Sequence, residues 1–261
     1  MEYQYISSRT NDTIKHYTKL LSSKRQRDAE GVFVCEGLRL CRDALESGFR
    51  VKEMFFTREA LDRHFSEFEG LLQGDERLYV ISDGPAERMS DTVSPQGIFT
   101  VCERKEAEAP ALRKGKCYVC LENLQNPQNL GTVARTAEAL GISAVIVLSG
   151  CDIYNPKALR ASMGSLLRIP IIRLDSVEQA VLSAKDAGLL CFASVPDSEA
   201  EDITSLDFSC GAMAIIGNEG NGVSLLSKQL ADRLVTIKMK GQAESLNAAA
   251  AADIIMWEMM R

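Results

Sequence analysis

The chain has 261 residues, 46% apolar and 25% charged, which suits one or two globular domains with a sizeable buried core. No run approaches the ~18–20 apolar residues of a bilayer span, and Met1-Glu-Tyr-Gln-Tyr lacks the basic and apolar regions of a secretory leader, so a cytoplasmic location is expected. The net charge of −6 argues against an extended nucleic-acid surface, but residues 1–28 set six cations (Arg9, Lys15, Lys19, Lys24, Arg25 and Arg27) against Glu2, Asp12 and Asp28, a local excess suited to a phosphate backbone.

In chain order, Ile14, Tyr17, Leu20 and Leu21 mark an amphipathic helix over 11–21, and Lys24-Arg-Gln-Arg27 after it is either a solvated helix end or an RNA contact. Strand 31–36, helix 38–47 closed by Gly48, strand 51–57, helix 60–72 and strands 77–81 and 97–103 follow. This alternation predicts a small α/β unit with a largely parallel sheet over 1–104. Residues 105–115 are charged, contain Pro110 and have no apolar period, the composition of a linker.

Over 116–261 the alternation resumes. Strands are expected at 116–121, 144–148, 169–173, 189–195, 212–217 and 234–239, with helices at 130–140, 156–166, 177–187, 222–230 and 245–260. Such an order gives an α/β domain with a buried parallel sheet. The last helix opens on five consecutive alanines, with Ser245 the expected N-cap.

The eight cysteines stand mostly singly in apolar surroundings and read as reduced and buried. Cys117-Tyr-Val-Cys120 has the spacing of a metal or redox pair, but it falls in an alternating apolar run with no second pair or histidine nearby, so a strand is expected and no metal. His16 and His64 are the only histidines, which leaves the second domain without a histidine base.

Three stretches of that domain carry candidate chemistry. Asn126-Pro-Gln-Asn129-Leu-Gly131-Thr-Val-Ala-Arg135 places an asparagine at a helix entrance and Arg135 one turn after Gly131, a combination that can hold an oxyanion or phosphate; an Asn-capped surface helix with a solvated arginine is the plainer alternative. Gly217-Asn-Glu219-Gly220-Asn-Gly222 follows a strand, and its glycines allow a flat ligand close to bare backbone, while Glu219 would repel a pyrophosphate. Ile237-Lys-Met-Lys-Gly241-Gln-Ala-Glu-Ser245-Leu246-Asn247 leads into the alanine helix.

Taken in order, these blocks resemble motifs 1, 2 and 3 of the SpoU family of RNA 2′-O-ribose methyltransferases in the SPOUT superfamily: N-x-x-N-x-G-x-x-x-R, G-N-E-G-x-G and I-x-M-x-G-x-x-x-S-L-N. Lys157-Ala-Leu-Arg160-Ala-Ser162-Met-Gly164-Ser is similar to the family as well, and Lys238 departs from it where proline is common. Upstream, residues 7–47 around Cys35-Glu36-Gly37, and Ser90 to Phe99, resemble the L30e-like substrate-binding domain that precedes the catalytic domain in many members.

The resemblance implies a catalytic domain with a C-terminal trefoil knot, a homodimer, and S-adenosylmethionine bound in the knot, with Gly217, Ile237 and Leu246 along its adenine and ribose beside Ala193 and Ser194. It also implies a catalytic set of Arg135, Asn129, Glu219, Ser245 and Asn247. The family assigns proton removal to the motif 1 arginine. Because an arginine with a pKa above about 12 is a difficult base, we read Arg135 as holding phosphate and stabilising the developing alkoxide, with the other four ordering the site. Lys24, Arg25 and Arg27 are the expected RNA handle, and Trp257, in the apolar run 254–260, the expected dimer anchor. The L30e-like domain favours ribosomal over transfer RNA. A non-catalytic RNA-binding relative is the alternative, whereas a dinucleotide oxidoreductase lacks the glycine spacing.

Overall fold

The computed structural model describes residues 3–105 and 110–261, so the central part of the expected linker, 106–109, lies outside the described residues. Contacts divide the chain into two units, Met1–Ala107 with Tyr154–Leu167 and Glu108–Ile153 with Arg168–Arg261.

The first stretch runs β1 (Gln4–Ile6), α1 (Asp12–Ser22), α2 (Lys24–Glu30), β2 (Val32–Glu36), α3 (Leu38–Glu46), β3 (Val51–Thr57), α4 (Arg58–His64), α5 (Ser66–Glu69), β4 (Arg77–Ile81), α6 (Asp83–Met89) and β5 (Ile98–Glu103). Asn11 caps α1, and Ile14, Tyr17 and Leu20 on its inner face are buried against Val34, Phe55 and Phe99 of the sheet. Tyr17 meets Phe55 and Phe99 edge-on, and its hydroxyl donates to the Cys35 carbonyl at 3.1 Å, so its polar tip is satisfied in the core.

The sheet order is β1-β4-β3-β5-β2. β1, β4 and β3 are parallel, but β5 is antiparallel to both β3 and β2. The expectation of a largely parallel sheet is thus corrected to a mixed one. β1 and α6 were not anticipated, because three residues are too few to show a period and α6 contains glycine and proline. The helix expected at 60–72 begins earlier, at Arg58 behind the Thr57 cap, and divides after His64.

The rest runs β6 (Cys117–Leu121), α7 (Pro127–Leu140), β7 (Ala144–Val147), α8 (Pro156–Ala161), α9 (Ser165–Arg168), β8 (Ile171–Arg173), α10 (Val177–Asp186), β9 (Leu190–Ser194), β10 (Glu201–Asp202), β11 (Ala212–Ile216), α11 (Leu225–Leu230), β12 (Arg233–Thr236) and α12 (Ala248–Met260). All seven strands pair in parallel, in the order β10-β12-β9-β11-β6-β7-β8. Cys117 and Cys120 sit in the buried strand β6, as read from the sequence, and burial raises both thiols above their ordinary range. α12 packs on α7. Its cap is Asn247 rather than the expected Ser245, with Oδ1 accepting from the N–H groups of Ala249 and Ala250 at 2.9 and 3.3 Å.

Tyr154–Leu167 groups with the first unit, although the sequence division places it within 116–261. There α8 lies on the edge strand β2. Tyr154 stacks on Phe33 at 4.7 Å, Arg104 lies 4.9 Å over the same ring, and Arg160 pairs with Asp91 at 2.5 Å. A covered edge is protected from pairing with another chain.

Candidate active site

Parallel pairing brings the carboxyl ends of β12, β9 and β11, at Thr236, Ser194 and Ile216, to one edge of the seven-stranded sheet, where open α/β sheets take ligands. A cavity of about 300 Å³ opens there. One wall is the turn after β11: Asn218 and Gly222 exchange backbone hydrogen bonds at 3.0 and 2.9 Å, and Asn218 Oδ1 accepts from Gly220 and Asn221. A Cβ on Gly217 would lie 2.1 Å from both the Gly222 carbonyl carbon and the Val223 nitrogen, so only glycine lets the strand pass beneath its own turn. The facing wall is Thr236, Ile237, Met239, Ser245 and Leu246, with Ala248 and Ala251 of α12. Lys238, between two lining residues, is not part of the lining and pairs with Asp202 at 3.4 Å.

One hydrogen-bonded chain ties the three motif blocks together. Glu219 Oε1 accepts from the Asn126 N–H at 3.0 Å and from Asn129 Nδ2 at 2.9 Å, while Oε2 accepts from the Gln125 N–H at 3.2 Å. Asn129 Oδ1 in turn accepts from Asn247 Nδ2 at 3.3 Å, and Asn247 caps α12. Desolvation opposes the charge on Glu219, but the Asn129 amide and the backbone donors outweigh it and hold the carboxyl below its usual range. Beneath this chain, Asn218 Nδ2 donates to the Asn123 carbonyl at 2.9 Å, and Glu122 Oε2 accepts from the Ser224 N–H and the Ser227 hydroxyl at 2.9 and 2.8 Å.

Residues 116–257 match the SpoU rRNA Methylase family, and residues 11–100 match an MRM3-like substrate binding domain. The chain belongs to the SpoU rRNA methylase family. It is 32% identical over 255 residues to the 23S rRNA (guanosine(2553)-2′-O)-methyltransferase RlmP of Bacillus subtilis, covering 97% of this chain and 98% of that one. A 23S rRNA (uridine(2479)-2′-O)-methyltransferase of Streptomyces viridochromogenes is 30% identical over 266 residues, at 98% and 91% coverage. Among solved structures, the AdoMet-bound rRNA methyltransferase from Sinorhizobium meliloti superposes with a TM-score of 0.87 at 27% identity, covering 98% of this chain and 97% of that one.

Within this SpoU domain the sequence-expected residues divide. Ser194, Gly217, Ile237 and Leu246 line the cavity, together with Glu219 and Ser245. Ala193 does not: strand alternation turns it into the core, where it is fully buried. Asn129 and Asn247 join Glu219 through the hydrogen bonds above. Arg135 lies six residues along α7 from Asn129, about 9 Å by helical rise, exposed and without an ion pair among the described residues.

Lys24 and Arg25 are exposed on α2, but Arg27 is not a surface handle. It is 2% exposed, and its Nη1 donates to the carbonyls of Leu20 and Leu21 at 2.7 and 3.3 Å, so it satisfies the end of α1. Sequence reading missed Asn218, Glu122 and Ser227. The available signal was a lone carboxylate at the end of the apolar strand β6, facing a Ser-x-x-Ser cap.

Proposed function

We propose that this protein transfers a methyl group from S-adenosylmethionine to a ribose 2′-hydroxyl of ribosomal RNA. The observation that carries this is the Glu219–Asn129–Asn247 chain, which holds all three motif blocks beside one cavity. The cavity suits the cofactor: Ile216, Ile237 and Leu246 give a flat apolar wall for an adenine, and Gly217 leaves backbone bare. When bound, the cofactor supplies an electrophilic sulfonium methyl. A ribose hydroxyl held in line with that carbon would displace S-adenosylhomocysteine, its proton passing to water, and the part of this chain is to hold the hydroxyl in that line.

Arg135, always protonated, holds the neighbouring phosphate and stabilises the developing alkoxide, and its exposed side chain, without an ion pair among the described residues, supports that role. Glu219, Asn129 and Asn247 set the loops, and Ser245 faces the cavity. Lys24 and Arg25 serve as RNA contacts. The division into a substrate-binding domain (1–104), a linker (105–115) and a catalytic domain (116–261), a C-terminal knot, a homodimer and a cytoplasmic location belong to the same reading. For the dimer, the support is an apolar stripe of Ile254, Trp257 and Met260, three residues apart on the outer face of α12.

Incubating the protein with S-adenosylmethionine labelled in the methyl group and unmodified ribosomal RNA should give label that resists alkali as a 2′-O-methylated dinucleotide. Label absent from RNA, or found on a base, overturns the reading. Mapping ribose methylation in a deletion strain then names the nucleotide.

A further inference from the structure

Several cations on the elements around the 300 Å³ cavity are already committed to carboxylates. Lys185 of α10 pairs with Asp232 at 3.4 Å, Arg233 of β12 with Glu201 at 3.6 Å, and Lys238 with Asp202 at 3.4 Å. Lys228 of α11 differs. It is the one cation among the residues that line the cavity, and it has no ion pair among the described residues. Its place is set by the residue before it: Ser227 is fully buried, its hydroxyl donating to Glu122 Oε2 at 2.8 Å and its N–H to Ser224 Oγ at 3.0 Å. One residue on and about 100° further round the helix, Lys228 comes to the cavity rim.

The carboxylate of the lining, Glu219, is committed elsewhere, its two oxygens accepting from Gln125, Asn126 and Asn129. The cavity therefore offers a ligand an ammonium that no side chain of the lining neutralises. In S-adenosylmethionine the adenosine is neutral, and the amino-acid end carries a sulfonium, an ammonium and a carboxylate. With Ile216, Ile237 and Leu246 suited to the adenine, the charged end is left for the polar part of the lining. A lysine there repels the two cationic centres and attracts the carboxylate, so it favours a ligand that brings a carboxylate and disfavours one that has lost it.

We propose that Lys228 binds the amino-acid carboxylate of S-adenosylmethionine and makes the cavity select that cofactor over related sulfonium nucleosides without a carboxylate. This rests on the reading of the protein as an S-adenosylmethionine-dependent methyltransferase and adds to it a specificity-determining residue.

The test is calorimetric titration of the full-length protein with S-adenosylmethionine and with decarboxylated S-adenosylmethionine, which keeps the adenosine, sulfonium and amine and lacks only the carboxylate. The wild-type protein should prefer the carboxylate-bearing ligand, and the preference should shrink as salt is raised. Lys228→Gln should weaken S-adenosylmethionine binding by roughly 3- to 5-fold, the scale of an exposed ion pair, and leave the decarboxylated ligand bound as well as before or better. Lys228→Arg should keep the preference, and Lys228→Glu should reverse it. Thermal unfolding unchanged in the three variants reports an intact fold. A ratio of the two affinities that is the same in Lys228→Gln as in the wild-type protein overturns the assignment and leaves the enzymatic reading standing. A wild-type protein that binds neither ligand removes the enzymatic reading and the assignment with it.

Discussion

At the residue scale, the site depends on a few atoms whose partners are distant in sequence. Arg135→Ala should abolish methyl transfer while S-adenosylmethionine affinity, read by calorimetry, stays within about twofold, because Arg135 is not among the residues that line the cavity the cofactor suits. Arg135→Lys should also fail, since a point charge cannot reproduce a planar, two-pronged contact. Gly217→Ala should do the opposite and remove cofactor binding, because the added carbon falls 2.1 Å from two backbone atoms of its own turn. Glu219 gives a pH test. Its carboxyl is held below the ordinary range in the folded protein, so its contribution to stability is complete above the unfolded value of about 4.3 and is lost as pH falls through the lower folded value. Glu219→Gln should therefore cost about 1 kcal/mol at pH 7, a figure reduced for the exposure of the side chain, and less at pH 3, as read from thermal unfolding at the two pH values.

At the element scale, periodicity found the long amphipathic helices and buried strands, and it failed where an element is short or where a side chain is decided by its neighbours. The α2 basic cluster is the clearest case. Lys24, Arg25 and Arg27 look alike in sequence, but the seven-residue helix turns Arg27 inward onto the carbonyls that end α1 and leaves the other two in solvent. Neutralising Lys24 and Arg25 together should weaken RNA binding and flatten its salt dependence at unchanged stability. Arg27→Met should leave the salt slope alone and lower stability by about 1.5–3 kcal/mol, the cost of losing charge-assisted bonds to buried carbonyls, as read by urea denaturation. α8 makes the same point. Its sequence sits inside the stretch that matches the SpoU family, yet Tyr154 and Arg160 find their ring and carboxylate partners on the first unit.

At the scale of the whole molecule, the outer face of α12 leaves Trp257 60% exposed between Ile254 and Met260, each 40% exposed, an apolar stripe that its own chain covers only in part. If a second copy covers it, Trp257→Ala should cost about 2–4 kcal/mol of association, shift sedimentation toward monomer and lose activity at low protein concentration, with recovery as concentration rises. A wild-type protein that sediments as a fully active monomer would remove the dimer from the account. The sequence by itself determined the strand and helix alternation and the order of three motif blocks, because glycine turns, asparagine caps and apolar periods are local instructions that each residue carries with it. Only the tertiary structure decided that Glu219 reaches Asn129 across 90 residues and Asn129 reaches Asn247 across 118, that β5 runs against its neighbours, and that Arg27 is buried. Those outcomes depend on strand register and helix packing, which set the distance between groups that sequence spacing leaves undefined.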